Sequence, residues 1–587
     1  MDSALVLNQG WGYGLMIGLG ILFAVFMIII TWARKRYSFE LQTSEMFTTA
    51  GRGVSGPVWY ASGATVQIIL FATLAIELKR RAPNAHTFLE VVKARYGPTT
   101  HAVYIVFCCF CNILVTAMLL TGGSAVIQNL TGAPVAASVF LFPIGVVVYT
   151  LFGGIKATFT TDYINGLVIL VIIFVFAFTV YSTNELLGSP GRVWETLTEL
   201  AAERPLSGNS GGSYLTMRSQ GGAEFFIINL CGNFGTVFLD NGYYNKAIAA
   251  SPIDALPEYK YDVWPTYPNR LSPADVDAGL VLPTAAVALL GQGGGAVATL
   301  ILAFMAIMST YSSELIATYF NPSATGLNYV GISMGYLYLM MGLIISSAVL
   351  PATLTLLRDG QSWAAATFSL IIGFVLSMNA WLVTTKIKYG ELNVTNTGAN
   401  EPMLAGNLTL LLSPLPFIPL LTFIPPFKPQ KYDWQSMLNI RQADDHGIAD
   451  GANVDVETAP TVQTEAFSDP DEKFKLNKAA KTARWLTVAV TLILLILWPM
   501  PLYGSGYVFG KSFFTGWVVV GITWLIASVV MVVFLPIIES RNTIVRTTRM
   551  ILKDLLGING RRKPISDGQS PGSGTPPNVS EDVEPKA

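Results

Sequence analysis

Four small hydroxyl side chains and a carboxylate fall within six positions of an otherwise apolar run, in the stretch AIMSTYSSELIA at residues 306–317: Ser309, Thr310, Ser312, Ser313 and Glu314. At 100° per residue, Ala306, Ser309, Thr310 and Ser313 share an arc of about 100°, Glu314 lies at its edge, and Ser312 points elsewhere. Such a face suits a small hard cation, which takes oxygen ligands, provided that a second, broken helix supplies free carbonyls. The plain alternative is a close helix seam in which each hydroxyl bonds its own i−4 carbonyl. Glu314 is a functional candidate if it lies at membrane depth, and an ordinary interfacial residue if it does not.

A second chemical face lies in GAEFFIINLCGNFGTVFLDNGYYNKAIAAS, residues 222–251. Asn229, Asn233 and Thr236 stand at i, i+4 and i+7 of an apolar helix, with Gly232 and Gly235 loosening it ahead of Asp240. Gly-interrupted, amide-bearing helices are where transporters place a substrate site; interhelical Asn packing is the alternative. In SGPVWYASGATVQIILFATL, residues 55–74, Trp59, Tyr60, Ser62, Thr65 and Gln67 offer an aromatic wall with neutral donors and acceptors, although Trp59 and Tyr60 also suit a membrane interface. Between two apolar runs, FGGIKATFTTDYIN (152–165) reads as a short polar connection in which Gly153 and Gly154 permit a turn and Lys156 and Asp162 mark its polarity. Enzyme chemistry has little to stand on. Cys108, Cys109, Cys111 and Cys231 lack metal or redox spacing, and His86, His101 and His446 are scattered.

The elements that must position these residues are membrane helices. Only 12% of the residues are charged, against about 25% in soluble domains, and the mean hydropathy is +0.50. Runs of about 20 apolar residues match a hydrocarbon core of roughly 30 Å. They lie near 11–33, 56–78, 101–127, 134–152, 163–182, 222–239, 296–319, 327–357, 363–385, 404–425, 485–506 and 512–538, with a shorter piece at 278–291. This predicts an all-α polytopic protein in a lipid bilayer. The net charge of −1 gives no sign of a nucleic-acid partner. The first run has no basic region before it and is expected to be retained rather than cleaved.

Lys and Arg beside the spans set the expected orientation. Arg34, Lys35 and Arg36 place the N-terminus outside. Lys473 to Arg484, before one late span, and Arg541 to Lys553, after the last, place the C-terminus in the cytoplasm. The expected organisation is transporter spans over 1–437, a polar, disordered cytoplasmic loop over 438–484, a transmembrane hairpin over 485–540 and a cytoplasmic tail over 541–587. One conflict stands out. Lys79, Arg80 and Arg81 end the second run, where strict alternation would place them outside, and the 19 residues between the first two runs cannot cross a bilayer. The count is short by a helix. Sequons at Asn129, Asn393, Asn407 and Asn578 do not decide sidedness.

GGIKATFTTDYIN resembles the GG-x-x-A-x-x-x-T-D signature of sodium:solute symporters, and DNGYYNKAIAAS (240–251) resembles the stretch after their substrate-lining helix. APNAHTFLEVVKARYG (82–97), WPTYPNR (264–270), GISMGYLYLMMGLIISSAVLPATLTLL (331–357) and SWAAATFSLIIG (362–373) are similar to the urea active transporters of fungi and plants. The resemblance implies an inverted five-helix-repeat, LeuT-like symporter fold working by alternating access, and urea as the small-molecule substrate. It implies a plasma-membrane location and no cofactor beyond a coupling ion, Na⁺ or H⁺.

The family's cation motif matches Ala306, Ser309 and Thr310, with Ser313 beside them, and its substrate-lining Asn matches Asn233, with Thr236 one turn on. Trp59, Tyr60 and Gln67 are further substrate candidates. Glu314 and Asp240 are carboxylates that could carry a proton or meet a polyamine. The fold is expected to be incomplete: family spans are missing after TAGR (49–52), between ALPEY and WPTYPNR, and between SSELIA and GISMG. The alternatives are therefore an inactive truncated splice or gene-model product, a passive urea channel, or a polyamine transporter. The sequence leaves the oligomeric state open.

Overall fold

Backbone N–H and C=O groups in hydrocarbon have no water to bond, so each spanning segment must close its own hydrogen bonds. The computed structural model describes residues 7–37, 66–85, 87–185, 187–239, 278, 280–311, 332–423, 432–439, 470–497 and 499–534, with scattered positions from 538 to 556. Among the described residues, seven helical stretches are long and apolar enough to cross a membrane, two of them the composite spans Met334–Leu357 and Asn400–Phe423. The elements below belong to one compact unit, Met1–Glu539; Ser540–Ala587 forms a second.

The first five helices are α1 (Gln9–Tyr37), α2 (Val66–Arg81), α3 (Phe88–Tyr96), α4 (Pro98–Thr131) and α5 (Val135–Phe178). They are followed by α6 (Pro190–Glu203), α7 (Gln220–Leu239), α8 (Val281–Leu290) and α9 (Gln292–Tyr311). Next come α10 (Met334–Ile345), α11 (Val349–Leu357), α12 (Trp363–Tyr389), α13 (Val394–Thr397), α14 (Asn400–Leu412) and α15 (Pro414–Phe423). The last are α16 (Pro470–Thr491), α17 (Pro499–Ser505) and α18 (Lys511–Val529). Short hydroxyl residues start several of them: Thr87 and Ser333 accept from the N–H groups of Glu90 and Tyr336.

Two features depart from the sequence expectation. FGGIKATFTTDYIN makes no turn, because the backbone stays helical from Val135 to Phe178. Glycine permits a turn but does not compel one, and helix is the conformation that closes backbone bonds in an apolar setting. The helix of the late hairpin starts at Pro470, well before its apolar run and inside the stretch expected to be a disordered loop. The run at 327–357 forms one span, Met334–Leu357, within which a short 3₁₀ turn at Ser346–Ala348 separates α10 from α11.

Buried side chains form two cores. One gathers α2, α3, α7, α10, α11, α12 and α14 around the first half of α4, and includes Phe71, Phe88, Tyr104, Phe238, Leu343 and Trp381. The other gathers α1, α5, α8 and α9 around the second half of α4, where Phe23 and Phe304 lie 6.5 Å apart. Away from these cores, α6 is tied to the start of α18: Trp194 Nε1 donates to the Phe509 carbonyl at 2.7 Å, and Lys511 pairs with Glu195 at 2.6 Å.

The seam between α1 and α5 depends on two glycines. A Cβ on Gly145 would lie 2.6 Å from the Cα of Gly20 and 2.9 Å from its carbonyl oxygen. Substituting Gly145→Val is expected to force the helices apart at a cost of about 1–3 kcal/mol. Detergent-extracted protein should show a lower apparent Tm; an unchanged Tm would contradict the seam.

Candidate functional site

Helix α7 carries the amide face expected from the sequence, and its glycines decide what that face meets. A Cβ on Gly235 would lie 2.6 Å from Ile345 Cγ1, and one on Gly232 would lie 3.3 Å from Met341 Cε, so α7 and α10 approach closely along this edge. Ser346, at the break after α10, reinforces the contact by donating to the Cys231 carbonyl at 2.7 Å.

The approach closes a three-membered polar cluster. Asn229 Oδ1 accepts from both Asn233 Nδ2 and the Tyr338 hydroxyl. Asn233 Nδ2 also donates to the Tyr338 oxygen at 3.2 Å. Phe225 stacks on the Tyr338 ring with centroids 6.0 Å apart. Amides and a phenol are neutral and present both donors and acceptors. The cluster can therefore exchange its internal bonds for bonds to a small neutral polar molecule at little net cost. Thr236 shares the face but is engaged differently: its hydroxyl donates to the Gly232 carbonyl at 3.0 Å and lies 2.9 Å from Met341 Sδ.

Sequence reasoning misses Tyr338, because aromatic residues in an apolar run read as packing. It misses two further polar roles for a different reason. Read as part of a loop, Asp162 and Asn165 would meet water; on a continuous α5 they are 7% and 0% exposed, beside the fully buried Thr161. Among the described residues, neither side-chain polar atom of Asn165 has a hydrogen-bond partner. Helix α5 packs along α9, the helix that carries Ala306, Ser309 and Thr310. For those three and for Gln67 on α2 the structure places the helical backbone, while their side chains, together with Ser313, Glu314, Asp240, Trp59 and Tyr60, lie outside what is described.

The basic ends of the helices form the other charged assembly. Glu77 on α2, its side chain 2% exposed, accepts from Arg80 at 2.8 Å, from Arg81 at 3.4 Å and from Arg484 of α16 at 2.7 Å. This contact puts the cluster Lys79–Arg81 and Arg484, near the basic start of the late hairpin, at the same end of the bundle.

Next to it, Arg81 bonds Asp359 at 2.5 Å, and Trp434 Nε1 donates to the same oxygen at 2.8 Å. The Trp434 ring is faced by two guanidinium groups, Arg81 at 4.5 Å and Arg95 at 5.2 Å from its centroid. Arg95 also faces Tyr96 and Tyr432 and donates to the carbonyls of Thr355 and Arg358. Burial lowers the pKa of Arg95 and pushes that of Tyr96 up to about 12. The segment Tyr432–Asn439, anchored by the fully buried Met437, thus ties α2, α3 and the end of α11 together.

The model of the sodium:solute symporter family matches residues 48–239. The chain is 43% identical over 647 aligned residues to "Probable urea active transporter 1" of Schizosaccharomyces pombe, covering 94% of each chain. It is 41% identical over 690 residues to "Urea active transporter" of Saccharomyces cerevisiae, again covering 94% of each. To a "Urea-proton symporter" of Oryza sativa subsp. japonica it is 37% identical over 643 residues, covering 92% of this chain and 86% of that one. The chain belongs to the sodium:solute symporter family.

The same alignments carry a second result. At 94% coverage about 552 of the 587 residues fall within an alignment of 647 positions, so the first relative has about 95 residues at positions where this family member has none.

The clamp at Trp434 yields a testable pair of outcomes. Substituting Trp434→Ala removes two cation–π contacts, about 0.5–2 kcal/mol each. A fall of a few degrees in apparent Tm is expected, and no change would contradict the clamp. The bonds from Trp434 and Arg81 hold the Asp359 carboxyl below the usual carboxylate range, against the opposing effect of burial. A depressed folded-state pKa stabilises above the unfolded value, about 3.9, and that stabilisation is lost as pH falls through the folded value. The Tm difference between wild type and Asp359→Asn should therefore be constant above about pH 5 and shrink below about pH 4. A difference that persists unchanged at low pH would count against it.

Proposed function

We propose that this integral membrane protein is a secondary active urea transporter that couples urea uptake to a proton or sodium gradient by alternating access. The observation that carries the reading is the neutral Asn229–Asn233–Tyr338 cluster, in a chain 37–43% identical over most of its length to proteins named for urea transport. Urea is planar and uncharged, with one carbonyl acceptor and four N–H donors. It needs facing donors and acceptors rather than a counter-charge, and the amides and phenol of the cluster supply both. A polyamine would instead call for carboxylates at this position. The uncoupled alternative, a passive channel, has no feature in its favour here.

For the coupling ion we favour the proton. One relative is named a urea-proton symporter, and an ionisable group at membrane depth is the natural proton carrier. Among the described residues only two carboxylates are buried, Glu77 and Asp162. Asp162 lies on α5, the helix that packs along the hydroxyl-bearing α9, whereas Glu77 is bonded to three arginines at the basic end of the bundle. A Na⁺ site at Ala306, Ser309, Thr310 and Ser313 is the competing reading and draws on the same pair of helices. The positive-inside rule supports a cytoplasmic C-terminus and cytoplasmic basic ends at Arg81 and Arg484, and family membership supports the plasma membrane.

Urea uptake by cells expressing the chain, measured at external pH 5 and pH 7, tests the assignment. Wild-type uptake should be several-fold faster at pH 5, and Asp162→Asn should abolish that difference while leaving surface abundance unchanged. Uptake that depends on external Na⁺ and not on pH would instead favour the hydroxyl site. A chain that reaches the surface but shows no uptake in either gradient would support the truncated-product reading.

A further inference from the structure

Asn407 of α14 is fully buried at the junction of three helices. Both hydrogens of its amide are used: Nδ2 donates to the Met403 carbonyl of its own helix at 2.8 Å and to the Leu339 carbonyl of α10 at 3.0 Å. Leu339 is the neighbour of Tyr338. Among the described residues the amide oxygen has no hydrogen-bond partner, and it lies against Gly342, where a Cβ would fall 1.8 Å from it and 3.1 Å from the backbone nitrogen of Gly232 on α7. The amide therefore occupies the point at which α7, α10 and α14 meet, directly behind the polar cluster. From α12, Ser377 bonds the Leu343 carbonyl at 3.2 Å and the Gly406 carbonyl at 3.0 Å, holding the same two helices one turn on.

A seam of this kind could be closed by leucine, which fills a similar volume and leaves no acceptor unpaired. A buried unpaired acceptor carries a penalty. What asparagine adds is a directed bond to one carbonyl of α10, and that bond fixes the rotation of α10 about its axis. Successive side chains on a helix are 100° apart, so a modest rotation would carry the Tyr338 hydroxyl away from Asn229 and Asn233. Asn407 also lies in a sequon, Asn407-Leu408-Thr409, but its complete burial and the bond from Thr409 to the Ala405 carbonyl at 2.7 Å leave no room for a glycan.

We infer that Asn407 is a positioning residue for substrate: through its bond to the Leu339 carbonyl it holds Tyr338 in the orientation that binds urea. This rests on the reading of the Asn229–Asn233–Tyr338 cluster as the urea site. The test is a double-mutant cycle on urea uptake, with KM, Vmax and surface abundance measured for Tyr338→Phe, Asn407→Leu and the double variant. Each single substitution should raise KM about five-fold, the effect of losing one neutral hydrogen bond, with Vmax per surface molecule within about two-fold. Added to Tyr338→Phe, the Asn407→Leu substitution should raise KM by less than about two-fold, because the group it positions is already gone.

An equal KM increase from Asn407→Leu in both backgrounds would overturn the proposal, as would an effect confined to surface abundance. Asn407→Ala, which likewise removes the donor to the Leu339 carbonyl, gives the same comparison should the leucine variant fail to reach the surface. The two readings fail separately. An unchanged KM in Tyr338→Phe removes the urea-site reading and the proposal with it; a raised KM in Tyr338→Phe with an unmoved KM in Asn407→Leu removes the proposal alone.

Discussion

The close approach of α7 and α10 is the contact on which the rest depends. In hydrocarbon, a polar side chain that finds no partner within the protein is costly. Gly232, Gly235 and Gly342 let two backbones come near enough for Asn229, Asn233 and Tyr338 to satisfy one another. The cluster is thus stable when empty and can trade its internal bonds for those of a neutral ligand. Asn407 and Ser377 brace the same region from α14 and α12, so the site is held by packed helices rather than by loops.

The charged groups are managed by segregation. Arginines collect at one end of the bundle, where buried Glu77, Asp359 and the faces of Trp434 and Tyr432 neutralise or cover them. A planar guanidinium can stack on an aromatic ring and bond a carboxylate at the same time, which is why three helix ends can converge on one short segment. The interior keeps Asp162 as its carboxylate among the described residues apart from that end.

How much of this is legible in the sequence differs by feature. The spans follow from apolar length, and the amide face of α7 from the i, i+4 spacing of Asn229 and Asn233. The conflict at Lys79–Arg81 reads as a missing crossing, and the alignments with relatives open positions at which this chain has no residues. Tyr338 and Asn407 are not legible, because their roles come from helices 68 or more positions apart in the chain that meet only on folding. The burial of Asp162 escapes a sequence reading because two glycines suggest a turn, while the lipid environment favours an unbroken helix. The cation face at Ala306, Ser309, Thr310 and Ser313 rests on the sequence, with the helical backbone of α9 beneath its first three members.

The central claim is coupled, concentrative transport of urea by this chain. It is tested most directly by purifying the protein, reconstituting it in liposomes and following labelled urea under an imposed pH gradient, acidic outside. The account predicts accumulation above the external urea concentration that collapses when a protonophore dissipates the gradient. Urea that only equilibrates, at the same rate with and without the gradient, would contradict it.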